Sequence, residues 1–133
     1  MAVQWMASDA WVFAAIEGTG GVDSSSLVQI VAKADAINHA IVTEAEFTQA
    51  MGRLVTVGLI GARAEADRYW HTEAGRVLYR DAMKRRGLFG WIDAISPALR
   101  RLGEPQESSW SLPAGAFDRA VEEYGRWQRR GKT

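Results

Sequence analysis

Residues able to carry chemistry are few. There are two histidines, His39 and His71, and no cysteine. The lack of cysteine excludes disulfides, thiol nucleophiles and thiolate metal sites, and it fits a reducing compartment. Asp35 and His39 stand four apart, the right pitch for two metal ligands on one helix. Asp67 is the other carboxylate such a site could use, His71 belongs to the second strand of a hairpin, and no third ligand is marked. Ordinary surface or cap histidines explain both, and no metal is expected. Ser24-Ser25-Ser26 lacks the elbow motif of a serine nucleophile, and a helix cap accounts for it. Gly18-Thr19-Gly20-Gly21 lacks the Lys-Ser/Thr of a phosphate loop and reads as a turn. Glu122 and Glu123 are sequence neighbours, so they do not face one another on a helix. No catalytic residues assemble from this inventory. The expectation is a protein that is not an enzyme and holds no cofactor.

The elements that would position these residues are better marked than the chemistry. Asp9 can cap a first helix through Val12, Phe13 and Ile16, and Trp11 with Ala14-Ala15 makes it apolar on most sides, which predicts burial. Asp23 or Ser24 can cap a second helix with Leu27, Ile30, Val31, Ala34 and Ile37 as its inner stripe; Asn38 and His39 end it. Thr43 followed by Glu46 completes a capping box. Phe47, Ala50, Met51, Leu54 and Val55 then recur at helical spacing up to Gly58, a typical left-handed terminator. Residues 59–63 are short and apolar enough for a strand, Ala64-Glu65-Ala66-Asp67 can turn, and Arg68-Tyr69-Trp70-His71 returns as a second strand. Thr72 caps a fourth helix over 73–86. Its rows Ala74/Leu78/Ala82 and Tyr79/Met83 face inward, while Arg76, Arg80 and Lys84 form an exposed basic ridge at i, i+4 and i+8. Arg85 and Arg86 extend that ridge at the helix C-terminus, where cations suit the dipole.

Leu54-Val55-x-x-Gly58-Leu59-Ile60 and Thr72-Glu73-Ala74-Gly75-Arg76 carry a family resemblance. Over 9–86 the chain resembles a winged helix-turn-helix domain, in which a helix ends at glycine, a hairpin wing follows, and Thr-x-x-Gly-Arg opens the next helix. The resemblance implies a mainly α fold: a three-helix core plus a two-stranded β-hairpin wing, with additional C-terminal helices. Residues 1–86 would form the winged part, and 87–133 a helical extension packed on it as one structural unit. A fold of this kind does not fix function.

In DNA-binding members the third helix enters the major groove with its N-terminal half. The residues this would bring to DNA are Thr43, Thr48, Gln49 and Arg53, with Arg63 and Arg68 from the wing. Charge opposes that role. Residues 1–72 hold four basic residues (Lys33, Arg53, Arg63, Arg68) against eight acidic ones, a net of −4, and Glu44 and Glu46 would stand beside phosphates. Residues 73–101 hold seven basic and three acidic residues, so the formal neutrality of the chain conceals an uneven distribution. DNA affinity rests largely on phosphate neutralisation. The sequence therefore favours a non-enzymatic module acting through protein–protein contacts, with a dimeric DNA-binding transcriptional regulator as the second reading.

Leu88, Ile92, Ile95, Leu99 and Leu102 recur at spacings of four, three, four and three, a heptad-like seam with Phe89 and Trp91 beside it. Ser96-Pro97 either caps a new helix or kinks this one. A polar loop over 103–113 precedes a last helix over 114–130, whose apolar face is Phe117, Ala120, Val121, Tyr124 and Trp127. The seam exceeds what one partner helix needs, so Leu88, Phe89, Trp91, Ile92, Ile95 and Leu99 are the expected interface of a homodimer or with another protein. Winged regulators of the multiple-antibiotic-resistance type resemble this layout. Of the six tryptophans, Trp91, Trp110 and Trp127 lie beyond the winged part, either closing a second small core or covering a partner surface. No apolar run approaches the roughly 18 residues of a membrane span, and no signal peptide is evident, so a cytoplasmic location is expected.

Overall fold

The computed structural model describes residues 4–86 and 90–131. Leu88 and Phe89, two of the expected interface residues, lie outside the described residues. Among the described residues the chain is mainly helical, with six α-helices and two small antiparallel sheets. In order these are α1 (Ala7–Ala15), β1 (Gly18–Gly20), β2 (Asp23–Ser24), α2 (Leu27–Asn38), α3 (Glu44–Thr56), β3 (Ile60–Arg63), β4 (Arg68–His71), α4 (Glu73–Lys84), α5 (Trp91–Arg100) and α6 (Ala116–Gly131).

Helix α1 is the centre of the packing. Every residue from Asp9 to Ala15 is buried, because α2, α3 and α5 pack around it. Burial on all sides follows from its Ala-rich, nearly uncharged sequence. Asp9 is not its N-cap, as the sequence suggested. Met6 holds that position, and the Asp9 carboxylate sits three residues on, where Oδ2 accepts the Met6 N–H at 2.7 Å.

Helix α2 is capped by Ser26 rather than by Asp23 or Ser24. Ser26 Oγ accepts from Gln29 N at 3.3 Å, and Gln29 Oε1 accepts from Ser26 N at 2.8 Å, a reciprocal box. The two earlier residues are used in β2. The glycine-rich stretch is a bulged hairpin, β1 with β2, and not a bare turn. Gly18 and Gly20 take φ of 105° and 108° there, open to glycine alone without strain.

The Thr43–Glu46 box on α3 forms as expected, with bonds of 3.1 Å and 2.9 Å. The β3–β4 hairpin pairs Ile60 with His71 and Arg63 with Arg68. Its turn is a short 3-10 helix over Ala64–Ala66 with Asp67 left-handed after it. Asp67 Oδ1 then accepts from Leu27 N at 2.8 Å, so the hairpin tip helps to cap α2. Ser25 and Tyr69 exchange backbone bonds of 2.7 Å and 2.9 Å, docking the hairpin on the α1–α2 connection.

Helix α5 runs unbroken through Pro97, so neither a new cap at Ser96 nor a second helix is present. Its seam turns inward. Ile95 and Leu99 are wholly buried in the same core as α1, which removes both from the expected interface. Trp91 and Ile92 are half-buried and pack on that core, and Lys33 Nζ sits 4.7 Å from the Trp91 ring centroid. Among the described seam residues Leu102, at 50% exposure, remains on the outside. Helix α6 packs on α2, where Tyr124 donates its hydroxyl to Asp35 Oδ2. That bond to the carboxylate pushes the Tyr124 phenol up to about 12.

Candidate functional site

The surface that a DNA-binding regulator of this layout would present is the outside of α3 with the hairpin beside it. The row Ala45, Gln49, Gly52 and Thr56 lies at i, i+4, i+7 and i+11, one line along the helix. Ala45, Gln49 and Thr56 are exposed, yet Gly52 between them is buried. The cause is the segment that follows α5. A Cβ at Gly52 would lie 2.8 Å from Ser108 Oγ and 3.4 Å from the Ser108 carbonyl oxygen. The segment 103–113 thus passes over the outer face of α3, with the glycine making room for it.

Several contacts hold this segment. Trp5 Nε1 donates to Gly103 O at 2.8 Å. Glu107 Oε1 accepts from Arg53 Nη2 at 2.7 Å and Nε at 3.2 Å. Trp110 then stands edge-on to Phe47 and Tyr69, at ring separations of 6.0 and 6.4 Å. Phe117 closes the same aromatic group at 6.0 Å from Phe47. Of the three late tryptophans, Trp110 and Trp91 therefore serve the main core. Trp127 is half-buried, with its Nε1 donating to Glu123.

Arg53 is the largest departure from expectation. Under the regulator reading it would reach DNA, and it is 4% exposed. Its Nη1 donates to Asp9 Oδ2 at 2.9 Å, and Asp9 is itself 1% exposed. Burial alone would lower the guanidinium pKa, but the carboxylates of Glu107 and Asp9 outweigh it and hold the group charged. Among the described residues, no donor reaches Asp9 Oδ1.

The other expected residues stay on the surface. Thr43 and Gln49 are exposed and Thr48 is half-buried, its hydroxyl donating to Glu44 O at 2.9 Å. Arg63 and Arg68 are exposed on the hairpin, and Arg68 Nη1 donates to Gly21 O at 3.0 Å. Glu44 is exposed and Glu46 half-buried at the same end of α3. On α4, Arg76, Arg80 and Lys84 are all exposed, as the ridge pattern predicted.

His71 is not a surface or cap histidine. It is 5% exposed, stacked on Phe13 at 4.4 Å with the rings 4° from parallel, and edge-on to Tyr79. Its Nε2 lies 2.9 Å from Phe13 O, and since a carbonyl only accepts, Nε2 carries the proton. Burial lowers its pKa. A sequence signal existed: Tyr69 and His71 share one face of β4 by the two-residue period of a strand, and both are buried. His39 is exposed at the C-terminus of α2, and the Asp35 carboxylate is taken by Tyr124. Among the described residues no three His, Asp or Glu side chains gather as a metal site would need. Nor is any helix there long and apolar enough to cross a membrane.

The chain matches no family model, and no curated protein or solved structure is significantly similar to it.

Proposed function

We propose that this chain is a winged-helix module, not an enzyme, that works through protein–protein contacts. The winged-helix reading is supported by element order. Three helices, the first two joined through the β1–β2 hairpin, are followed by a second antiparallel hairpin and a capped fourth helix. The interaction reading rests chiefly on one observation: Arg53, the only basic residue of α3, is buried between Asp9 and Glu107. A recognition helix needs cations near phosphates, and this one has none to offer.

The two halves of α3 are unsuited to a DNA groove for different reasons. Its N-terminal half presents Glu44 and Glu46 where phosphates would lie. Its C-terminal half is crossed by 103–113 at Gly52. A helix about 10–12 Å across already fills a major groove about 12 Å wide, so an extra layer of chain does not fit. The second reading, a dimeric DNA-binding regulator, draws support from Thr43, Gln49, Arg63 and Arg68, which are exposed on the first turns of α3 and on the hairpin.

Fluorescence anisotropy with random duplex DNA at low salt separates the two, because nonspecific affinity is greatest there. The expected result is no binding at micromolar protein. Binding that weakens steeply with salt, and weakens further in Gln49→Ala or Arg63→Ala, would establish the regulator instead.

A further inference from the structure

We infer that the groove between α4 and the end of α5 receives a second copy of this chain, pairing α4 with α4 of the copy in antiparallel. The inference deepens the protein-contact reading by naming the partner, and it rests on that reading.

Among the described residues, large exposed apolar side chains are few: Met6, Val22, Ile41, Val77 and Leu102. Two of these five, Val77 on α4 and Leu102 just past α5, flank one groove of about 760 Å³. Its floor is Leu59, Ala82 and Ala98, all buried. An apolar trough with exposed apolar walls loses free energy when covered.

Charge selects what covers it. Along α4 the groove-side row is Glu73, Val77, Asp81 and Arg85, at successive steps of four residues. Such a row forms one stripe along a helix. It is acidic at Glu73, apolar at Val77, acidic again at Asp81, whose carboxylate lies 3.4 Å from Arg80 Nε of the same helix, and basic at Arg85, with Lys84 exposed beside it. Turned by a two-fold axis and laid antiparallel on itself, the stripe places Glu73 opposite Arg85 and Lys84 of the copy, twice over, and sets Val77 between the turns that carry Val77 and Asp81 of the copy, where Arg80 already pairs with the Asp81 carboxylate. Arg101, from the facing helix, supplies a further cation on the rim, across from the acidic Asp81. A uniformly acidic or basic partner would meet a like charge at one end of this groove. A copy of the chain meets opposite charges at both, the self-complementarity that a two-fold interface requires. This differs from the seam expected from the sequence, whose Ile95 and Leu99 are spent inside the protomer.

Sedimentation equilibrium from about 10 to 200 μM is the test, a range that resolves micromolar association. The full chain is expected to approach twice its 14.7 kDa mass. Val77→Glu and Leu102→Glu, both at exposed positions, should each weaken association at least about tenfold while circular dichroism stays unchanged. Glu73→Arg and Arg85→Glu should each weaken it, and the two together should restore it, since the pair re-forms with its signs exchanged. A monomer throughout the range would overturn the inference. So would a dimer indifferent to Val77→Glu and Leu102→Glu, and failure of the double reversal to restore association would overturn the antiparallel pairing. A monomer that still ignores duplex DNA would sink this inference alone, whereas salt-sensitive DNA binding would sink the protein-contact reading.

Discussion

Arg53 shows how a single side chain can be misplaced by local reading. On α3 it is the natural cation of a groove-reading helix, yet its partners are Asp9, 44 residues earlier, and Glu107, 54 residues later. Nothing near it in sequence announces either. Replacing Arg53 with Met should leave Asp9 buried without its charge partner and cost about 3–5 kcal/mol in urea denaturation. Glu107→Gln, at a carboxylate half exposed to solvent, should cost no more than about 1 kcal/mol. Equal losses from the two would show that Asp9 does not depend on Arg53. His71 supports a second prediction. Its pKa in the folded chain lies below the ordinary 6.5, because the ring is buried. As pH falls through 6.5 the unfolded chain takes up this proton first, so the stabilisation present above that pH is progressively lost below it. Urea midpoints measured between pH 7.5 and pH 5 should therefore fall more in the wild type than in His71→Phe. Parallel slopes for the two proteins would remove His71 from the acid response.

At the scale of elements, legibility followed signal strength. The Thr43–Glu46 box, the φ of 78° at Gly58 and the Thr72 cap are local devices, so α3, the β3–β4 hairpin and α4 stand close to where the sequence put them. The β1–β2 hairpin was not legible, because strands of three and two residues show no alternation to read. The path of 103–113 over α3 was also hidden, since a polar loop does not advertise what it crosses. Two glycines inside helices sharpen the distinction between kinds of packing. An added Cβ at Gly75 would lie 2.0 Å from the Leu59 carbonyl oxygen, a backbone atom held in place by its bond to Thr72 N. Helix propensity favours alanine over glycine by about 1 kcal/mol. The clash should nevertheless dominate, costing about 1–3 kcal/mol as overpacking does, so Gly75→Ala is expected to destabilise. Gly52→Ala meets Ser108 Oγ, a side-chain atom that can rotate away at the loss of the bond it accepts from Trp110 N at 3.2 Å, and should cost less than Gly75→Ala. Thermal melts of both variants decide this, and a stabilised Gly75→Ala protein would show that α4 can slide away from the hairpin.

The molecule as a whole closes one core with side chains from both ends of its sequence. Phe47 of α3 touches Tyr69 of β4, Trp110 of the crossing segment and Phe117 of α6, while Ile95 and Leu99 of α5 lie against α1 in the same cluster. The sequence marked each of these as apolar, but spacing alone did not say whether 87–133 would pack inward or outward. That choice is made by volume: α1 is apolar all round and needs a neighbour on its remaining side, which α5 supplies. Elements that share one core should melt together, since no smaller subset buries its own apolar surface. Tryptophan fluorescence, which includes Trp110 and Trp127 from the C-terminal part, and far-ultraviolet circular dichroism should then report one coincident urea transition. Phe117→Ala removes a side chain 4% exposed at the centre of the aromatic group and should cost about 3–5 kcal/mol. If the core is common, that loss moves the entire transition to lower urea by both probes. If α6 instead docks as a separate unit, fluorescence would move alone and dichroism would keep a second step at the original midpoint.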